Sequence, residues 1–185
     1  MSEDDAIVVY QLKVSLRGIS PMIWRRLLVP AQMTLYDLHR TVQIAFGWED
    51  YHLHAFKLHG REYSTTRTGE RHRDPSGNEI RLADLQLRLR QRIIYEYDFG
   101  DMWVHEIRVE AKVGRQNGKT YPTCIGGARA GPPEDVGGPF GYYALLVRLP
   151  EDDYEDDGLS TYDAERFSRR KVNAALKGEL AMAAP

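Results

Sequence analysis

The sequence has almost no cysteine. Cys124 is the single one in 185 residues, so no disulfide can close within the chain and a cysteine-rich zinc site is excluded. A lone thiol fits a reducing compartment. Net charge is also scarce. The 25 basic side chains face 27 acidic ones, leaving −2, which excludes a surface coated in positive charge but leaves room for a local basic patch. No apolar run approaches the roughly 18–20 residues that span a bilayer. The opening MSEDDAIVVY is acidic where a signal peptide is basic. These absences point to a soluble, cytoplasmic protein with no membrane partner. What is present is ordinary globular material, 42% apolar and 28% charged. A chain this long buries roughly 70% of its unfolded surface and needs neither disulfide nor metal to fold.

The pattern of elements predicts an α+β fold: a mostly antiparallel sheet of about five strands, with helices on one side, in the order ββ-α-β-β-β-α-α. Residues 10–17 alternate apolar and polar, as a half-buried strand does, and MIWRRLLVP returns as its partner. Thr34 and Asp37 have capping-box spacing before a helix whose apolar face is Leu35, Leu38, Val42, Ala45 and Phe46, ending at Gly47. Residues 51–59 predict a third strand with His52, His54, Phe56 and Leu58 on one face. Residues 92–97 and 102–113 predict a hairpin joined by DFGD. The stretches 64–80 and 114–138 predict loops, and IRLADLQLRL between them predicts a short helix or turn. Pro139 starts a helix through Leu149 with Phe140, Tyr143, Ala144 and Val147 as its apolar stripe. Residues 151–157, EDDYEDD, make an acidic linker. Asp163 is the expected cap of a last helix through about Leu176. The domain reading is a disordered segment 1–6, one domain over 7–176 and a tail over 177–185.

The stretch YDFGDMWVHEIRVE concentrates polar chemistry. Asp98 and Asp101 read as turn residues, with Gly100 taking a positive φ, or as members of a site. His105 shares the core-facing positions of its strand with Trp103, Ile107 and Val109. It reads as a buried histidine or as an acid–base group at the end of the sheet. Glu134 and Asp135 lie between Pro132-Pro133 and Gly137-Gly138. They read as carboxylates presented by a rigid loop, or as caps of the helix at Pro139. The candidate polar cluster is therefore Asp98, Asp101, His105, Glu134 and Asp135. His52, His54 and His105 are the candidate metal ligands, since H-x-H puts two imidazoles on one strand face and needs a third donor. No motif calls for a cofactor. Cys124 reads as an inert thiol, because nothing near it in sequence lowers its pKa. Arg67, Arg71, Arg73, Arg88, Arg90 and Arg92 are the candidate phosphate contacts.

Five motifs together, LKVSLRGISPMIWRRLLVP, TLYDLHRTVQIAFGWEDYHLHAF, YDFGDMWVHEIRVE, PPEDVGGPFGY and FSRRKVNAAL, resemble the plasmid Ri ORF-three-like family over about Tyr10 to Leu176. The resemblance implies an α+β fold and carriage on plasmids and insertion sequences, where some members bear a resolvase-type name. It implies no particular reaction. Similar proteins often have cysteine where Gly131 stands and sometimes where Val136 stands, so a family thiol cluster is not complete here. The resolvase name finds no support in the residues. Ser15 and Ser20 lie in or beside a predicted antiparallel hairpin. The H-x-x-R formed by His105 and Arg108 is split across two strand faces. Two readings follow. The first is an accessory or regulatory binding domain of mobile elements, with DNA or protein as partner. The second is a hydrolytic or metal-assisted enzyme using a carboxylate–histidine cluster from the DFGD turn and PPED loop.

Overall fold

The computed structural model describes residues 8–64, 76–147 and 159–180. It is α+β. The strands are β1 (Val8–Leu16), β2 (Trp24–Pro30), β3 (His54–Leu58), β4 (Arg61–Tyr63), β5 (Arg92–Tyr97), β6 (Trp103–Gly114) and β7 (Thr123–Ala128). The helices are α1 (Leu35–Phe46), α2 (Ser76–Glu79), α3 (Gly138–Leu146) and α4 (Arg169–Leu180). The strands form one antiparallel sheet in the order β4-β3-β5-β6-β1-β2-β7.

Seven strands replace the five expected. β4 has only three residues, too few to show a period, and β7 reads TCIGGA, whose glycines resemble a loop. The IRLADLQLRL segment forms turns, with a single bridge from Arg81 to Thr34. Residues 65–75 and the acidic linker 151–157 lie outside the described residues, as do Arg67, Arg71 and Arg73.

Strand alternation gives the sheet two unlike faces. One carries Leu12, Val14, Leu27, Val29, Ile93, Tyr95, Tyr97, Trp103, Ile107 and Val109, all buried in one core with Leu35, Leu38 and Val42 of α1 and Leu176 of α4. The other carries Lys13, Arg26, Glu106, Arg108 and Glu110 and stays partly or fully exposed. α1 begins as its spacing predicts: the Asp37 N–H donates to Thr34 Oγ1 at 3.1 Å, and the Thr34 N–H donates to the Asp37 carboxylate at 2.9 Å. Arg25 points into the core face. Its guanidinium donates to the carbonyls of Ala45, Trp24 and Ala128 and lies over the rings of Phe46 and Phe167. α4 starts after Ser168, which takes the Lys171 N–H, so Asp163 is not its cap; Asp163 closes a local turn with Glu165.

α3 departs furthest from its sequence pattern. Its buried residues are Gly138 and Tyr142, whereas Phe140 is 87% and Val147 76% exposed. The expected apolar stripe faces solvent because the helix docks through its N-terminus. Gly138 has φ +65 and lies against the Asp101 carbonyl so closely that a Cβ there would overlap it. Tyr143 Oη meanwhile takes the Ser20 N–H at 2.7 Å. This docking joins the PPED loop to the DFGD turn.

A Gly138→Ala substitution meets both a left-handed φ and a backbone clash. It should cost clearly more than the ~1–2 kcal/mol of a left-handed alanine alone. Gly60→Ala is the comparison, since Gly60 has φ +73 with open space around it. Urea denaturation of the two variants checks this; equal costs would mean that the docking contact carries no load.

Candidate functional site

The turns at residues 17–23 and 98–102, the start of β3 and the end of β7 all lie at one end of the sheet, because Ser15 pairs with Trp24, Leu16 with His105, Tyr97 with Trp103 and Trp24 with Ala128. Most of the candidate polar cluster lies here. Asp98 adopts φ +56 and its Oδ1 accepts the Gly100 N–H at 2.9 Å. Turn chemistry therefore holds for Asp98, but the left-handed positions are Asp98 and Met102 rather than Gly100. Asp101 Oδ2 accepts the Gly137 N–H at 3.0 Å. α3 starts at Gly137 with no side-chain cap hydrogen bond, so Asp135, expected as a cap, does not act as one, and Asp101 instead holds the N–H of Gly137 itself. Glu134 receives the Tyr97 hydroxyl and the Glu49 N–H, and Trp48 Nε1 donates to the Pro132 carbonyl at 2.8 Å. Freed from capping, Asp135 places Oδ1 2.9 Å from His52 Nε2, and Asp98 Oδ2 lies 3.7 Å from the same nitrogen.

His105 does not join this group. It is 0% exposed, set edge-on against Phe46 and Trp48 at ring distances of 4.9 and 5.2 Å. Its Nδ1 lies 3.2 Å from the Trp103 carbonyl, and its Nε2 has no hydrogen bond. Burial pushes its pKa down to about 3. The polar cluster proposed from sequence thus loses His105 to the aromatic core and gains His52. His54 also turns away, stacking on His39 with ring centroids 3.5 Å apart. His39 bonds Tyr95 Oη through Nδ1 and Asp50 through Nε2, both at 2.8 Å. Burial lowers the pKa of both rings, that of His54 to about 3. Asp50 carried no signal in the sequence. The Cys124 thiol is buried and donates to the Gly126 carbonyl, and burial raises its pKa, which removes it as a nucleophile.

A second polar region lies on the open face. Arg92 pairs in register with Arg108, Arg108 with Lys13 and Lys13 with Arg26. Four cationic residues thus cross four adjacent strands in one row. Arg92 also lines a groove of about 900 Å³ with Arg61, Arg88 and Arg90. This groove lies by β3 and β5 at the end of the sheet remote from Asp98, since His54 pairs with Tyr97 while Leu58 and Arg92 lie at the opposite ends of those strands. Arg108 is exposed and His105 buried, so the H-x-x-R motif cannot grip one phosphate.

The buried histidines make stability depend on pH. His105 titrates near 3 in the folded chain and near 6.5 when unfolded. The unfolded state binds more protons in that window, so stability falls as pH drops through it. His105→Phe should flatten the fall between pH 6 and 4 by about 1.4 kcal/mol per pH unit. Urea curves across that range test this, and parallel wild-type and variant profiles would show that His105 protonates without penalty.

Comparison with known proteins agrees with this architecture. The chain is 32% identical over 178 residues to the uncharacterized protein y4hQ of Sinorhizobium fredii (strain NBRC 101917 / NGR234), an alignment covering 91% of this chain and 90% of that protein. A solved structure, the protein of unknown function MM3350 from Methanosarcina mazei Go1, superposes with a TM-score of 0.73 at 36% identity, covering 88% of this chain and 96% of that one. Residues 8–175 match the plasmid pRiA4b ORF-3-like protein family. The chain belongs to that family.

Proposed function

We propose that this protein is a binding module, an accessory or regulatory domain of plasmids and mobile elements, and that it takes the phosphate backbone of nucleic acid on the open face of its sheet. The observation that carries this reading is the row Arg26–Lys13–Arg108–Arg92. Like charges directly opposite one another across strands destabilise a sheet, and adjacent strands are only about 4.8 Å apart. Three such like-charge pairings in succession, on a chain whose net charge is −2, make a stripe suited to a polyanion.

The carboxylates nearby pair with the two ends of the row and leave Arg108 in its middle without one. Glu110 is engaged by Arg26 through two bonds, and Glu106 is shared by Arg17 and Arg92. Arg108 has no ion pair among the described residues, nor do Arg61, Arg88 and Arg90 in the adjoining groove. Trp24 stands on the same face, with Lys13 and Arg26 both over its ring. Cations tracking a backbone beside an aromatic ring are what a sheet surface uses to hold a nucleic-acid strand. Contacts of this kind carry affinity and little sequence information.

The test is fluorescence anisotropy with labelled single-stranded and duplex DNA over a range of salt. If four phosphates are neutralised, log K should fall against log salt with a slope of about −3 to −4, and Arg108→Ala should reduce that slope by about one. No binding at about 50 mM salt, or a slope that Arg108→Ala leaves unchanged, would overturn the reading.

A further inference from the structure

We propose that His52, Asp98 and Asp135 form a binding site for a divalent transition-metal ion of the zinc and manganese class. One ligand atom from each of the three lies within 4.8 Å of the other two. His52 Nε2 is 2.9 Å from Asp135 Oδ1 and 3.7 Å from Asp98 Oδ2. An ion with bonds of about 2.0–2.2 Å holds its donors roughly 3–3.5 Å apart, so small side-chain movements bring all three onto one centre. One imidazole with two carboxylates is a nitrogen–oxygen set that suits Zn²⁺, Mn²⁺ or Fe²⁺ and leaves positions open for water or a further ligand.

Two further observations point to a cation as the ligand. Asp98 is only 7% exposed, yet it pairs with no Lys or Arg among the described residues. Its Oδ1 is used by Gly100, while its Oδ2 faces His52 and receives no hydrogen bond. That leaves Oδ2 as a lone-pair donor turned toward the imidazole. His52 Nε2 is itself shielded from solvent and makes no well-directed hydrogen bond, despite lying beside two carboxylates. A nitrogen and a carboxylate oxygen facing each other without a shared hydrogen bond are arranged as ligands are around an ion. The support is already rigid. Asp101 ties the DFGD turn to Gly137, Glu134 ties the PPED loop to Tyr97, and Trp48 anchors Pro132. The other three-residue group, His39, Asp50 and His54, does not have this character. Both ring nitrogens of His39 are spent on Tyr95 and Asp50, and its ring is stacked on His54.

This site is independent of the basic stripe, which lies on the open face, so either proposal can fail alone. The test uses tag-free full-length chain stripped with EDTA and titrated with Zn²⁺ by calorimetry, with imidazole nitrogen NMR on the same samples. One ion per chain should bind, with the His52 ring resonances moving and those of His39 and His54 unmoved. Asp135→Asn alters an exposed side chain, so it should fold normally and weaken Zn²⁺ binding tenfold or more. His52→Ala and Asp98→Asn should abolish it. Absence of binding by Zn²⁺ and Mn²⁺, unaltered affinity in Asp135→Asn, or resonance shifts confined to His39 and His54 would each overturn the assignment.

Discussion

The candidate site depends on the clasp between two turns that are far apart in sequence. The DFGD turn leaves β5 and re-enters the sheet as β6, and the PPED loop arrives some thirty residues later from β7. Asp101 holds the Gly137 N–H, Gly138 lies against the Asp101 carbonyl, and Tyr97 reaches Glu134. Trp48, just past the end of α1, fastens the loop from the other side through Pro132. None of these bonds is strong alone, since a typical hydrogen bond contributes about 1 kcal/mol. Together they fix where Asp98 and Asp135 stand relative to His52. The carboxylates divide into two kinds: Asp101 and Glu134 build the clasp, and Asp98 and Asp135 are left facing the imidazole.

That division explains how much of the molecule was legible in the sequence. Alternation found β1 and β6, turn signals found their partners β2 and β5, and the Thr34–Asp37 spacing found the start of α1, because each of these signals is local. β4 and β7 escaped because their strand character comes from pairing with β3 and β2, not from composition. α3 misled because Phe140 and Val147 have a core helix's spacing, but the helix is seated by Gly138 and Tyr142. At the site the residue types were right and their partnerships were not. His105 was a natural partner for Asp101 by proximity in sequence, but the strand pleat sends it into the core. His52 sits just before β3 begins, so it escapes the alternation that sends His54 to His39. The basic row was invisible for a different reason: Arg26, Lys13, Arg108 and Arg92 come from four strands, and only the register brings them together.

The two polar regions rest on a core containing unusual chemistry for its depth. His39, His54 and His105 are buried beside Tyr95 and Tyr97 in a core that also holds Trp48 and Trp103. The hydroxyl of Tyr95 joins His39 to Gln43, and burial holds that phenol protonated. These rings and hydroxyls make a neutral hydrogen-bonding framework on the core face, in which the Arg25 guanidinium is a buried cation. Most other charge lies at the end of the sheet and on its open face, where ligands can reach it.

Arg25 shows what such a framework permits. Its guanidinium serves three backbone carbonyls and lies over two rings, and burial lowers its pKa only to about 10, so it stays charged at neutral pH. The planar head acts as a washer between Phe46 of α1 and Phe167 just before α4, while its N–H groups stitch β2 to β7 and to the end of α1. A lysine has one ammonium point where the arginine has a plane with five donors. The position is thus closed to the exchange that usually counts as mild, because a lysine there would release both the end of α1 and the aromatic contact that seats the last helix.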